Sequence, residues 1–211
     1  MNKLELAILC SNAKLTSMVP RFTSLFALFI CSVLAAGCST SLFKVKPATE
    51  LPPLPSTSRS ADGGAVSMRV APLLTDDDTQ ELFEANLPIA GILAVRLELN
   101  FQSGTPIEMK RARFRVRDNQ NREWKLLSPK QAVSRIMKAN GMTLYNPNFK
   151  KQFENDFGTY ALDIKTPLDS ANRTRQGFLF FQTPDKQAVD SSYQLTLVVE
   201  RFPQPVSIPL N

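Results

Sequence analysis

Val95-Arg96-Leu97-Glu98-Leu99-Asn100-Phe101 alternates apolar and polar side chains without interruption. A period of two puts the apolar set on one face of a strand and the polar set on the other. The turn residues Gln102-Ser103-Gly104-Thr105-Pro106 end this strand. Alternation then resumes in Ile107, Met109, Ala112, Phe114 and Val116, and the one-step shift in phase between Met109 and Ala112 predicts a bulge near Lys110. Asp118-Asn119-Gln120-Asn121 reads as a turn, and Glu123 to Leu127 returns as a short strand carrying the sole tryptophan, Trp124. These three strands are expected to form a meander.

Outward from this centre the same period dominates. Upstream, Val66, Met68 and Val70 alternate, and Pro72 is expected to close their strand. Asp76-Asp77-Asp78 precedes Leu82 and Phe83 as acidic residues precede a short helix, whose dipole they complement. As calcium ligands they lack the alternating loop spacing that a calcium site requires. Downstream, Ser128-Pro129 reads as an N-cap and first turn, Ala132, Val133, Ile136 and Met137 share a helical face, and Asn140-Gly141 is a stop. Phe149, Phe153 and Phe157 recur at helical spacing on a second helix, expected to pack against the sheet. Strands over 176–183, 193–201 and 206–210 finish the chain.

Seven or eight short strands over 65–211, with a helical insertion at about 128–157, predict a mainly β domain built as a two-layer antiparallel sandwich. Ile92 to Trp124, with a strand ending in Asn100, a Ser-Gly-Thr-Pro turn and a strand ending near Asp118, resembles the B-to-C region of immunoglobulin-like domains in bacterial lipoproteins. The resemblance implies an immunoglobulin-like β-sandwich, here without that fold's cysteine hallmarks.

The N-terminal residues belong to an address and not to a fold. Arg21 closes a basic region, and Leu25 to Ala36 is a mostly apolar run of about a dozen residues, shorter than the roughly 20 that span a bilayer. Leu34-Ala35-Ala36-Gly37-Cys38 resembles the lipobox of bacterial lipoproteins, with Ala35 where leucine is usual. The resemblance implies that 1–37 is a signal peptide, that Cys38 is the lipidated first residue of the mature chain, and that acyl chains hold the protein at a membrane. Ser39 after the cysteine resembles the sorting pattern for the outer membrane and implies its periplasmic face. The same run also reads as an ordinary secretory signal cut near Ala36, or as an uncleaved anchor; each exports the domain. A start at Met18 would leave a signal of more usual length. Cys10 and Cys31 leave with the signal, so no disulfide is expected. The stretch 38–64, rich in Ser and Thr with Pro47, Pro52, Pro53 and Pro55, reads as a flexible tether.

The composition is globular, 43% hydrophobic and 21% charged, and it contains no histidine. Ser-His-Asp and Cys-His relays and His-ligated zinc are therefore excluded. The formal charge of +6 falls short of a nucleic-acid-binding balance. Asp118, Glu123, Asp156 and Asp163 are the carboxylates available for paired acid–base chemistry, and each reads equally well as a turn or surface residue. No catalytic role, metal site or cofactor is assigned.

The least random feature is Arg111, Arg113, Arg115 and Arg117 at spacing two, which on one strand would point the same way while Ala112, Phe114 and Val116 face the core. Arginine is a bidentate donor to phosphate and carboxylate. Against this, Glu98 and Glu123 offer cross-strand partners that would make the row an ordinary solvated sheet face. The expected function is a non-enzymatic interaction or assembly module with an envelope protein as partner, or alternatively a binder of an anionic envelope lipid or glycan through the arginine face, with no nucleic-acid partner.

Overall fold

The computed structural model describes residues 44–142, 146–190 and 192–211. The expected signal peptide and Cys38 lie outside them. Among the described residues no helix is long and apolar enough to cross a membrane.

Eight strands form: β1 (Arg59–Asp62), β2 (Val66–Leu73), β3 (Ile92–Phe101), β4 (Arg113–Arg117), β5 (Glu123–Leu127), β6 (Thr174–Gln182), β7 (Thr196–Glu200) and β8 (Val206–Pro209). They pair antiparallel in one sheet of order β1-β2-β3-β6-β5-β4-β7-β8. The sheet curls until its edges meet at one end, where the Gln204 amide donates to the Gly63 carbonyl at 3.2 Å. Towards Ser58 and Pro209 the edges part around a cavity of about 550 Å³. The domain is therefore mainly β, as expected, but the immunoglobulin-like sandwich is not confirmed, because all eight strands belong to one nearly closed, barrel-like sheet.

The expected meander is also corrected. β3 pairs with β2 and with β6, and of the three strands expected to form the meander only β4 and β5 are paired with each other. The reason lies in β6, where Phe178-Leu179-Phe180-Phe181 is apolar on both faces and buried throughout. Such a strand gains most from a central position covered on each side. The phase shift before β4 is a 3₁₀ turn, Met109–Arg111, closed by the Ala112 amide on the Met109 carbonyl at 3.1 Å, and not a bulge. Pro72 does not end β2, which runs to Leu73 past the end of β1, with Pro72 opposite Val95.

Alternation divides the core in two. Inward residues, among them Met68, Leu97, Phe114, Trp124, Leu179, Phe181 and Leu197, fill the barrel. The outward faces of β3 and β6 carry Ile92, Ala94, Phe178 and Phe180 into a second cluster under the helices. Those helices are α1 (Asp76–Phe83), α2 (Pro129–Ala139) and α3 (Pro147–Gly158). The three aspartates occupy the first turn of α1 behind the Thr75 cap. Ser128 and Gln131 close a reciprocal capping box on α2. Phe153 and Phe157 of α3 are buried, and the Phe157 ring lies 4.5 Å from that of Phe180.

Much of the stretch read as tether lies on this domain. Val45, Ala48 and Leu51 pack on the outer cluster, the Tyr160 hydroxyl donates to the Lys46 carbonyl, Leu54 is buried, and Arg59–Asp62 forms β1. Leu51 and Leu54 are apolar residues between prolines, so extended backbone there carries side chains that a surface can bury.

Candidate functional site

The site grows from the short ladder between β4 and β5. Only Val116 with Trp124 and Arg117 with Glu123 are paired, next to the 118–121 turn. Beyond them β5 turns away to pair with β6, matching Lys125–Leu127 to Gln182–Phe180. β4 is left with no partner on that side from Arg113 to Arg115, and the wall opens.

Two cavities occupy the opening, of about 640 and 470 Å³, and they share Ala112, Phe114 and Leu126. The far side of the larger one is the strip 161–165, laid against β6 by a bond from the Leu162 amide to the Phe178 carbonyl at 3.0 Å and from the Phe178 amide to the Tyr160 carbonyl at 2.7 Å. Gly177 permits that approach: a Cβ there would stand 2.6 Å from Leu162 Cα. The Arg175 guanidinium donates to the carbonyls of Asp163, Thr166 and Pro167 and pins the following loop. Beyond that loop, Ile107 and Leu168 exchange backbone hydrogen bonds of 2.9 and 3.0 Å.

The cleft is apolar inside, where Phe114, Leu162 and Leu179 belong to the barrel core. Leu126 lies two residues after Trp124 and so on the same inward face, yet it is 40% exposed. Ile164 on the opposite lip is 39% exposed. Both are large apolar groups left in water by the break in the wall.

The arginine row is placed differently from its sequence reading. Arg111 ends the 3₁₀ turn and is not on the strand, so Arg113, Arg115 and Arg117 alone share the outward face of β4. Arg115 bridges to Glu123 at 2.7 Å and to Glu200 at 3.6 Å. Neither Arg113 nor Arg117 has a salt bridge among the described residues, and Glu98 pairs with Arg69 on the far side of the sheet. Lys125 and Lys165, on the two lips of the cleft, are likewise without a salt bridge among the described residues.

The four carboxylates are spread over separate local structures. The Asp118 side chain is fully buried and accepts from the Gln120 and Arg122 amides, Arg122 Nε and Trp124 Nε1 at 2.8 to 3.3 Å. Burial pushes its pKa up, and these hydrogen bonds more than offset that, leaving it below the ordinary carboxylate value. Glu123 serves Arg115, and Asp156 accepts from Gln152 within α3. Asp163 accepts from the amides of Lys165 and Thr166, and the hydrogen bonds from Thr166 and Lys165 lower its pKa. No group of three carboxylates or cysteines able to hold a metal ion occurs among the described residues.

Sequence reading missed the cleft itself. Its lips come from 112–114, 125–126 and 161–165, which only the strand order brings together. The local signals were the doublet Leu126-Leu127, where alternation would leave one leucine misplaced, and Ile164 between Asp163 and Lys165. Comparison with known proteins finds no matching family model, no matching curated protein and no matching solved structure.

Proposed function

We propose that this chain is a cell-envelope lipoprotein, anchored by acyl chains on Cys38 at the periplasmic face of the outer membrane, whose β domain works without catalysis as an interaction module for anionic envelope groups. The observation that carries the binding part is the outward row on β4, in which Glu123 and Glu200, though they stand opposite Arg117 and Arg113 on the neighbouring strands, both bridge to Arg115, leaving Arg113 and Arg117 without a salt bridge among the described residues. Guanidinium groups held on a sheet at a spacing of about 7 Å, and not spent on internal ion pairs, are available to phosphate or carboxylate. The anchor rests on the Leu34-Ala35-Ala36-Gly37-Cys38 run.

The two parts are tested separately. Cys38→Ala is expected to abolish incorporation of labelled acyl chains, and labelling that persists in the mutant rejects the anchor. Arg113→Glu with Arg117→Glu spares the Arg115 bridges and should shift stability by no more than about 0.5 kcal/mol per site. Cosedimentation with anionic vesicles should weaken about tenfold or more in this variant, and the wild type should release as salt shortens the screening length from about 10 Å at 0.1 M to about 3 Å at 1 M. Equal retention of both proteins at every salt concentration would reduce the row to a solvated face.

A further inference from the structure

We infer that the cleft between β4 and the 161–165 strip holds the hydrocarbon chain of a single-chain anionic amphiphile, with its acidic head at the lips among Arg113, Lys125 and Lys165. The charged half of this inference rests on the anionic reading above; the apolar half rests on the break in the wall alone.

Three features of the cleft converge on that ligand class. Its volume of about 640 Å³ lies within the range of small-molecule sites, roughly 300 to 1,000 Å³, so it suits one chain better than a macromolecular segment. Its interior is the barrel core itself, Phe114, Leu162 and Leu179, reached past Leu126 and Ile164, whose exposure is relieved when hydrocarbon covers them. Its charges are not balanced internally. Glu123 is engaged by Arg115, and the Asp163 carboxylate by its own loop amides, while the three cations at the lips have no salt bridge among the described residues. An apolar slot with uncommitted cations at its mouth matches a molecule that is hydrocarbon at one end and anionic at the other.

The chain's sole tryptophan makes the site directly observable, because Trp124 lines the smaller of the two cavities, which shares Ala112, Phe114 and Leu126 with the larger. The full chain is reconstituted in phosphatidylcholine nanodiscs, and its fluorescence is followed while dibromostearate or its methyl ester is added, bromine being a short-range quencher. The expected result is saturable quenching by the acid, reversed by excess stearate, with the ester needing about tenfold more for half effect, the difference of one charge-assisted contact. Leu126→Asp with Ile164→Asp alters two exposed positions and should abolish the saturable component, while the same discs report quenching from the bilayer alone. Arg113→Gln with Lys165→Gln, which touches no core residue, should raise the half-quenching concentration of the acid about tenfold and leave that of the ester unchanged.

Linear quenching, identical in wild type and the Asp variant, overturns the inference. If the Asp variant does not fold, failure of stearate to displace dibromostearate from wild type overturns it instead. Equal affinity for acid and ester overturns the anionic head. Salt-sensitive cosedimentation with vesicles but no saturable quenching rejects the cleft and leaves the arginine face standing, so the two readings fail independently.

Discussion

Asp118 sets the geometry of the turn from which the cleft opens, since its carboxylate ties Gln120, Arg122 and Trp124 together at the closed end of the β4–β5 ladder. Its pKa is held below the unfolded carboxylate value of about 3.9. A depressed carboxylate contributes its full stability above the unfolded value and loses it as pH falls through the folded one. Asp118→Asn keeps the shape but turns an amide group towards donors, so at neutral pH it should lose about 1 to 3 kcal/mol. Urea melts read by Trp124 fluorescence should show that loss shrinking below about pH 4. Asp163 and Asp190 are also lowered and titrate in both proteins, so the difference between the two melts isolates Asp118. A gap that stays constant to the lowest pH argues against the linkage. Gly177 is a second single-residue determinant. In Gly177→Ala the new Cβ meets backbone at 2.6 and 2.7 Å, which cannot rotate away as a side chain can. The 161–165 strip must lift from β6, at a cost of about 1 to 3 kcal/mol, and hydrogen exchange at the Leu162 and Phe178 amides should accelerate.

At the scale of elements, β1 is where structure and sequence reading diverge most usefully. Arg59-Ser60-Ala61-Asp62 has no apolar alternation, and its four residues are mostly exposed, so periodicity marks no strand there. It forms because β2 offers an unpaired edge, and Arg59–Asp62 fills it in register with Val70–Ser67. Ahead of it, Leu54 is buried and Val45, Ala48 and Leu51 cover the outer cluster. A chain beginning at Ala65 should therefore be less stable than one beginning at Lys44 by at least about 1.5 kcal/mol, the contribution of one buried leucine, with the bare β2 edge promoting association. Equal urea midpoints and equal sedimentation of the two would show that 44–64 contributes nothing. The helices were more legible. Ser128-Pro129 and the aspartate run are start signals acting over a single turn, and they work wherever the helix is later docked.

The described residues hold together without covalent cross-links, since all three cysteines, Cys10, Cys31 and Cys38, lie before them. Two buried clusters on opposite faces of one sheet supply the stability, and a domain of this size can bury enough surface for that. Its thermal midpoint is expected to be the same with and without reductant, by calorimetry of the chain from Lys44 onward; a drop in reductant would contradict a core-only account. Closing the sheet on itself also removes most of the edge that an open sheet presents, leaving the cavity between Ser58 and Pro209 where closure is incomplete.

Sequence alone determined the features that local chemistry encodes. The inward and outward faces of β3 and β4 follow from a period of two, the ends of α1 and α2 from capping residues, the exclusion of histidine chemistry from composition, and the outward direction of Arg113, Arg115 and Arg117 from strand geometry. The tertiary structure alone decided the strand order, because an alternating strand specifies which face is buried and not which neighbour buries it. That order inserts β6 between β3 and β5, pulls β5 off β4 after two paired residues, and brings 161–165 to the gap. The exposure of Leu126 and the existence of the cleft follow from contacts between residues about 50 to 90 positions apart, which no window of local periodicity spans, whereas Arg111 leaves the row through the local 3₁₀ turn of Met109–Arg111.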